Sequence, residues 1–242
     1  MKRRARPLAA PCLTALSLTA LCLTALCLTA PAGPAAAEAV RPGQLWLNTT
    51  VFGSLGDAAF FAEVQPRFGN GISQLDQLLL RPAVGWKVNP DLTLYQGYAR
   101  IEDHGPRDRV RFEDRSFQEI NWQLGVIGGV QVSSRTRFEQ RWQSYGRDVG
   151  FRLRENLRFS VPLTEAKNGV AAVASSEVFV ALNDTDWGGR AGFDRVRTFV
   201  GVALPIGGKS TFEIGYLNQT FRTPANGFDM DHILALNVLV RN

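Results

Sequence analysis

The chain has little of what enzymes and metal proteins most often use. Its three cysteines, Cys12, Cys22 and Cys27, all lie near the N-terminus, and it has only two histidines, His104 and His232. Beyond residue 37 the chain therefore has no disulfide, thiolate metal site or cysteine nucleophile. It also contains no nucleophile elbow, glycine-rich phosphate loop or zinc-ligand spacing. We expect no catalytic residue, no metal and no cofactor.

The N-terminus has the pattern of an export signal. A positively charged start precedes an apolar run from Leu13 to Ala30 and a small-residue stretch with the sites Ala35-x-Ala37 and Ala37-x-Ala39. This order predicts a cleaved signal peptide over residues 1–37, cut after Ala37 or Ala39, and a mature domain over 38–242. The alternative is an uncleaved membrane anchor, which Pro31 and Pro34 disfavour because they break the helix where a cleavage region belongs.

Lysine is scarce, and net charge nearly vanishes in the mature chain. Four of the 27 lysines and arginines precede the apolar run, which leaves 23 against 22 acids. Only Lys87, Lys167 and Lys209 of those 23 are lysines. Because the mature chain is nearly neutral, its net charge gives no reason to expect nucleic-acid binding. The arginine excess favours bidentate pairing with carboxylate or phosphate groups.

What the mature chain has in abundance is two-residue alternation, which predicts β-strands. In RTRFEQRW, residues 135–142, every second residue is charged. Several strands are longer than the usual five or six residues and long enough to cross a bilayer at a tilt. Eleven strands are predicted, at 44–53, 58–68, 75–88, 91–102, 114–127, 130–143, 150–161, 172–183, 193–205, 210–222 and 231–241.

The predicted connections alternate in length. Tight turns at 89–91, 127–129 and 206–210 oppose longer polar loops at 69–74, 103–113, 144–149, 184–192 and 223–230, with 162–171 as the exception. This asymmetry is typical of outer-membrane barrels, which usually have an even number of strands. We therefore expect ten or twelve strands in an antiparallel up-and-down barrel, with 107–114 as the place for a missed one.

Alternation alone does not say which face points inward. A soluble barrel of the lipocalin type, binding an apolar ligand in the periplasm, puts its apolar face inside, whereas a membrane barrel inverts this. Strand length, scarce lysine and aromatic residues near strand ends favour the membrane barrel. The aromatic residues expected at the interfaces are Trp46, Phe52, Phe68, Trp86, Trp142 and Phe151.

The sequence resembles the DUF2490 family, predicted outer-membrane β-barrels of unknown function. The likeness lies in QLWLNTTVFG (44–53), SRTRFEQRW (134–142), GFRLRENLRF (150–159), SEVFVALNDTDW (176–187), FDRVRTFVGVAL (193–204), FEIGYLNQTF (212–221) and DHILALNV (231–238). The resemblance implies a transmembrane barrel in the outer membrane of a Gram-negative bacterium. It implies as partners the membrane lipid, lipopolysaccharide and the barrel-assembly machinery, and it assigns no catalytic residue.

The main candidate site is a lattice of inward-facing charges. Its members are Arg135, Arg137, Glu139, Arg141, Arg152, Arg154, Arg158, Glu177, Arg195, Arg197 and Glu213; Glu63, Arg67, Arg81, Arg100 and Glu119 are expected on the same face. One interpretation is an arginine-rich lumen that binds or passes a small anionic ligand. The other is structural filling, because buried charges must be paired. Glu155 falls on the apolar face, against the pattern.

Three further hypotheses concern the loops. An outer-membrane hydrolase would use His232 or His104 with the carboxylates of Asp184, Asp186, Asp229 and Asp231. The segment NDTDW (183–187) has two carboxylates for Ca²⁺, far from the six to eight ligands needed. The arginines at 107, 109 and 111 could contact lipopolysaccharide phosphates, or form an ordinary solvated loop.

Overall fold

The computed structural model describes residues 43–105, 109–165, 169–223, 225 and 227–242. The predicted signal peptide, residues 1–37, lies outside them. The described part contains no α-helix long and apolar enough to cross a membrane. Its strands are β1 Gln44–Leu55, β2 Ala58–Gly69, β3 Gln74–Asn89, β4 Leu92–Gly105, β5 Arg109–Ile127, β6 Val130–Gln143, β7 Val149–Pro162, β8 Ala171–Ala181, β9 Gly192–Gly207, β10 Ser210–Arg222 and β11 Phe228–Arg241.

The strands close into a barrel in which each pairs with its neighbours in the chain, and β1 pairs with β11. The all-β barrel is thus confirmed, but the expectation of an even strand number is wrong: the described residues form eleven. Successive antiparallel pairs make odd-numbered strands run in one direction, so the closing pair has to be parallel. The observed register, from Gln44 opposite Ile233 to Phe52 opposite Arg241, is parallel.

The stretch expected to hide a further strand belongs to β5 instead. β5 begins at Arg109 and is 19 residues long, and β4 extends to Gly105. The predicted loop 103–113 is therefore reduced to residues 106–108, which lie outside the described residues. The reason is register: Asp103, His104 and Gly105 pair with Arg111, Val110 and Arg109, so a polar sequence continues the sheet.

The two ends of the barrel differ as predicted. At one end the connections are 56–57, 90–91, 128–129 and 208–209, with the longer 163–170 as the exception. At the other they are 70–73, 106–108, 144–148, 182–191 and 223–227. Gly128 and Gly129 both have positive φ, at 59° and 84°, which a two-residue hairpin turn of the primed type requires. We call these the short-turn end and the loop end.

The barrel has its apolar side chains outside and its charged side chains inside. Val84 and Val200 point outward and are 68% and 52% exposed, whereas the inward-pointing Arg137 and Glu139 are each 1% exposed. A lipocalin-like barrel has the opposite arrangement. The interior also holds apolar clusters, including Phe61, Ala83 and Phe117.

Several side chains face the side opposite to the one predicted. Trp86, Trp142 and Phe151 lie on the outer wall and are exposed, but Trp46 and Phe52 point into the lumen. Arg100 points outward because Ala99 and Ile101 take the inward positions of β4. Its Nη1 lies 2.8 Å from Oδ2 of Asp114 on β5.

Candidate functional site

The predicted lattice residues lie on the inward faces of β6 to β10, at register positions that bring opposite charges together. One row across the wall runs Asn121, Arg135, Asn156, Glu177, Arg197, Gln219 and Asp231. The next row holds Glu119, Arg137 and Arg154. The period of two places every second residue of a strand inside, and the pairing register sets which inward side chains of neighbouring strands lie side by side.

The centre of the lattice is a chain of alternating charges. Glu139 receives Arg152 on Oε2 at 2.5 Å and Arg154 on Oε1 at 2.6 Å. Arg154 continues to Oε1 of Glu177 at 2.7 Å, and Arg135 reaches the same oxygen at 2.8 Å. Arg137 pairs with Glu119. Such shared carboxylates meet the requirement that buried charges be paired.

The remaining predicted members form satellite pairs. Arg141 lies 2.5 Å from Oε1 of Glu113, which Arg115 also contacts at 2.7 Å. Arg158 lies 2.6 Å from Oε1 of Glu213. Arg195 lies 3.3 Å from Asp194. Sequence reasoning missed Glu113, Arg115 and Asp194 as members. Glu113 fell in a predicted loop, and alternation puts Asp194 on the apolar face with Val196, whereas the β8–β9 register is irregular at this residue.

Aromatic rings support the arginines from within the lumen. The Phe179 ring has the guanidinium carbons of Arg154 at 4.5 Å, Arg197 at 4.8 Å and Arg152 at 5.2 Å. The Phe117 ring lies 4.4 Å from that of Arg137. Stacking on a ring face stabilises a cation without neutralising it. Among the described residues that line the lumen cavity, arginines outnumber glutamates eight to four.

This surplus borders a cavity of about 500 Å³ in the lumen. Among the described residues, eight arginines and four glutamates line it, together with Phe199, Leu217 and other apolar and amide side chains. Two buried N–H groups of the lattice, Nη1 of Arg137 and Nε of Arg135, have no hydrogen-bond partner within the described structure. A cavity of this size, with convergent donors, suits a small ligand.

The outer wall carries polar contacts that alternation did not predict. Glu155 accepts hydrogen bonds from the hydroxyls of Ser134 at 2.6 Å and Thr136 at 2.5 Å. These bonds account for a carboxylate on the apolar face, and for Thr136 in RTRFEQRW. The same strand's Gln140 donates to Gln118 at 2.9 Å, and Gln118 donates to Gln96 at 2.7 Å. Only the strand register reveals these partners.

Among the hydrolase candidates, Asp231 and His232 lie on opposite sides of the wall. His232 points outward and shares a 2.5 Å hydrogen bond through Nδ1 with the Tyr216 hydroxyl. Its neighbour Asp231 points inward and accepts from Gln219 at 2.9 Å. His104 lies near the end of β4, and Asp229 lies in β11. Adjacent residues on opposite sides of a strand cannot act as an acid–base pair, so Asp231 and His232 do not form one.

The carboxylates of NDTDW accept hydrogen bonds from loop backbone. Asp186 accepts from the backbone N–H groups of Arg147 at 2.9 Å and Asp148 at 3.2 Å, and Asp184 accepts from the Ala191 N–H at 2.7 Å. These N–H donors hold the pKa of the Asp186 carboxyl below its ordinary value, mainly through the bonds from Arg147 and Asp148. In the part of the chain that the structure describes, no three His, Cys, Asp or Glu side chains are grouped to hold a metal ion.

A family model described as "Protein of unknown function (DUF2490)" matches residues 43–230, which run from the start of β1 into β11. The chain belongs to the DUF2490 family. This DUF2490 protein is also 74% identical over 207 residues to an uncharacterized protein of Methylorubrum extorquens. That match covers 86% of the present chain and 91% of its relative. No solved structure matches the chain.

Proposed function

We propose that this DUF2490 protein is a non-enzymatic outer-membrane β-barrel of a Gram-negative bacterium whose arginine-rich lumen binds or passes small anions. The observation that carries the proposal is the sidedness of the wall. Apolar side chains cover the outside of strands that are 11 to 19 residues long, while paired charges fill the inside. Lipid demands an apolar surface and a backbone whose hydrogen bonds are all made internally, and a closed barrel supplies both.

The soluble alternative fits the geometry less well. A periplasmic barrel that binds an apolar ligand needs an apolar lumen and a wettable exterior. Here the cavity is lined by eight arginines and four glutamates, while Val84 and Val200 on the exterior stay exposed. These two belong to a large set of exposed hydrophobic side chains on the described residues. An extensive exposed apolar surface marks a membrane or protein contact.

The anion preference follows from the charges that line the lumen. Of the eight arginines that line the cavity, five are in ion pairs within the described structure, which leaves Arg67, Arg197 and Arg241 as its uncompensated cations. A low-dielectric wall focuses their field, which raises the local concentration of anions. Arginine presents forked donors that match carboxylate and phosphate.

Location is tested by membrane fractionation combined with gel migration before and after boiling. We expect the protein in the outer-membrane fraction, with faster migration of the unboiled sample because the folded barrel is compact. Recovery in the soluble periplasmic fraction, with no heat-dependent shift, would contradict the membrane proposal.

Conduction is tested in planar bilayers under a KCl gradient. We expect a reversal potential of the sign set by chloride, because the surplus guanidinium groups attract anions. A cation-selective current would contradict the anion preference. If no current is measured, the barrel is closed by its own lattice, and anion binding without passage remains as the proposed function.

A further inference from the structure

Arg67 and Arg197 line the lumen cavity without an ion pair to any carboxylate of the described residues, as does Arg241 at the short-turn end of the barrel. Arg67 donates to the amide oxygens of Gln77 and Gln65, at 2.5 and 2.6 Å. Arg197 donates to the amide oxygen of Gln219, at 2.8 Å. An amide oxygen satisfies a donor but leaves the charge uncompensated. Both guanidinium groups therefore remain full cations in a half-buried setting.

Two glutamates that line the same cavity, Glu63 and Glu177, are already engaged by other arginines. Both oxygens of Glu63 accept from Arg81, at 2.9 and 2.8 Å. Glu177 is shared by Arg154 and Arg135. A carboxylate that already accepts several charge-assisted bonds has little capacity for another cation.

Trp46 brings Arg67 and Arg197 together. The guanidinium carbon of Arg67 lies 3.9 Å from the centroid of the indole ring, and that of Arg197 lies 4.9 Å from it. The two carbons are thus no more than about 9 Å apart, the sum of those distances. Like charges this close repel each other strongly away from bulk water. An anion bound beside them would offset that repulsion.

All three residues border the lumen cavity, and an apolar wall continues from them. Trp46 on β1 pairs with Ala235 on β11, and Leu217 packs against the buried cluster that contains Phe199 and Ala235. The cavity thus has cationic donors at one place and an apolar surface next to it. That combination suits a ligand with an anionic head and an apolar body.

We propose that Arg67, Arg197 and Trp46 form a binding site for the anionic group of a small organic acid, either a carboxylate or a phosphate ester, whose apolar part lies against Leu217 and Phe199. This deepens the proposed function by naming the anion site. It rests on the inward position of these residues, and it does not depend on which membrane or compartment holds the barrel.

Isothermal titration calorimetry tests the site with benzoate, phenyl phosphate and the neutral analogue benzamide. The full-length gene is expressed, and the protein is purified from whichever fraction contains it, so that a wrong location leaves the binding test intact. We expect saturable binding of at least one of the two anions and none of benzamide. The tighter anion identifies the head group. Benzamide binding equal to that of the anions, or no binding of either anion, would overturn the proposal.

The variants Arg67→Gln and Arg197→Gln assign the binding to these residues, with Arg100→Gln as the matched control on the outer wall. We expect each lumen variant to bind the anion about tenfold more weakly, the loss of one charge-assisted contact, and the double variant to show no binding. The control should bind within about twofold of the unaltered protein, since its charge lies outside the lumen. Unchanged binding in the double variant would refute the assignment.

A measurement on the unaltered protein covers the case in which these variants fail to fold. Phenylglyoxal modifies accessible arginines, and mass spectrometry locates the modified positions. We expect the bound anion to protect Arg67 and Arg197 while Arg147, in the β6–β7 connection, stays reactive. Equal modification with and without the anion would overturn the site.

Discussion

Replacing Glu139 with glutamine removes one negative charge from the centre of the lattice and keeps the shape of the side chain. Glu139 is 1% exposed and receives Arg152 and Arg154 on its two oxygens. The glutamine amide would keep one acceptor and turn an NH₂ group toward a guanidinium. The change therefore leaves buried cations short of counter-charge and converts one attraction into a repulsion.

The magnitude follows from what the two arginines retain. Removing one partner of a buried ion pair costs about 3–5 kcal/mol of unfolding free energy. Arg154 would still contact Glu177, and Arg152 would still contact Asp194 at 3.1 Å. Because neither cation is left entirely unpaired, we expect the low end of that range, about 3 kcal/mol.

Urea unfolding of the folded barrel in detergent measures the difference, followed by tryptophan fluorescence and by gel migration of unboiled samples. Glu165→Gln is the matched control, since it makes the same chemical change at an exposed position in the β7–β8 connection. The control should stay within about 0.5 kcal/mol of the unaltered protein. If Glu139→Gln changed the unfolding free energy as little as the control, Glu139 would have to face water, and a packed lattice would be excluded.

Three further predictions concern the wall, a loop and the histidines. Val200→Arg, on the outer wall, should lower the unfolding free energy in lipid by about 2–4 kcal/mol relative to Val200→Ala, the cost of an arginine near the bilayer centre. Urea titration in vesicles measures this difference. An unfolding free energy equal to that of Val200→Ala would contradict a lipid-facing wall. The lowered pKa of Asp186 means that its bonds stabilise the loop above the ordinary aspartate pKa and are lost as the pH falls through the folded value, so pepsin should cut the 182–191 connection increasingly below about pH 4. Asp186→Asn should remove that pH dependence, and an unchanged pH profile in the variant would exclude Asp186 as its source. His104→Ala combined with His232→Ala should leave conductance and anion binding unchanged in folded protein, whereas loss of a hydrolytic activity would support the enzyme hypothesis.

The wall could be predicted well from the sequence, because successive residues of a strand point to opposite faces of the sheet. In β9, Val200 and Leu204 face outward and Arg197 and Phe199 face inward, as alternation predicts. Each of the eleven predicted strands has a counterpart, and their ends moved mainly where polar residues continue a sheet, as at Arg109 to Glu113. Polarity was a poor guide there because a polar segment is still held by backbone pairing.

The site was harder to predict, because it depends on which strands meet and how they are aligned. Arg137 and Glu119 belong to different strands, and neither local sequence indicates that the two side chains form an ion pair. Trp46 illustrates the limit: near a strand end, an aromatic residue reads as an interfacial anchor, but here it stacks with two inward arginines. Arg100 is the reverse case, a charge that finds its partner on the outer wall.

Whether the number of strands is odd or even does not follow from the pattern of any single strand. Even strand number is a regularity of bacterial barrels, not a consequence of any one strand's sequence. An odd number only requires that β1 and β11 pair in parallel, and both have the alternation for that pairing. The eleven segments visible in the sequence were a better guide than the regularity.

The most direct test of the account is the environment of alternate residues in β11, measured with single spin labels. Beyond residue 37 the chain has no cysteine, so cysteines placed singly at Leu234, Ala235, Leu236 and Asn237 give a clean background in outer membranes of a Gram-negative host. We expect labels at Leu234 and Leu236 to be relaxed by oxygen, which concentrates in lipid, and to be shielded from a water-soluble nickel complex. Labels at Ala235 and Asn237 should not show that lipid signature. Outward positions that are open to the nickel complex and no longer alternate with their neighbours would contradict a wall that faces lipid.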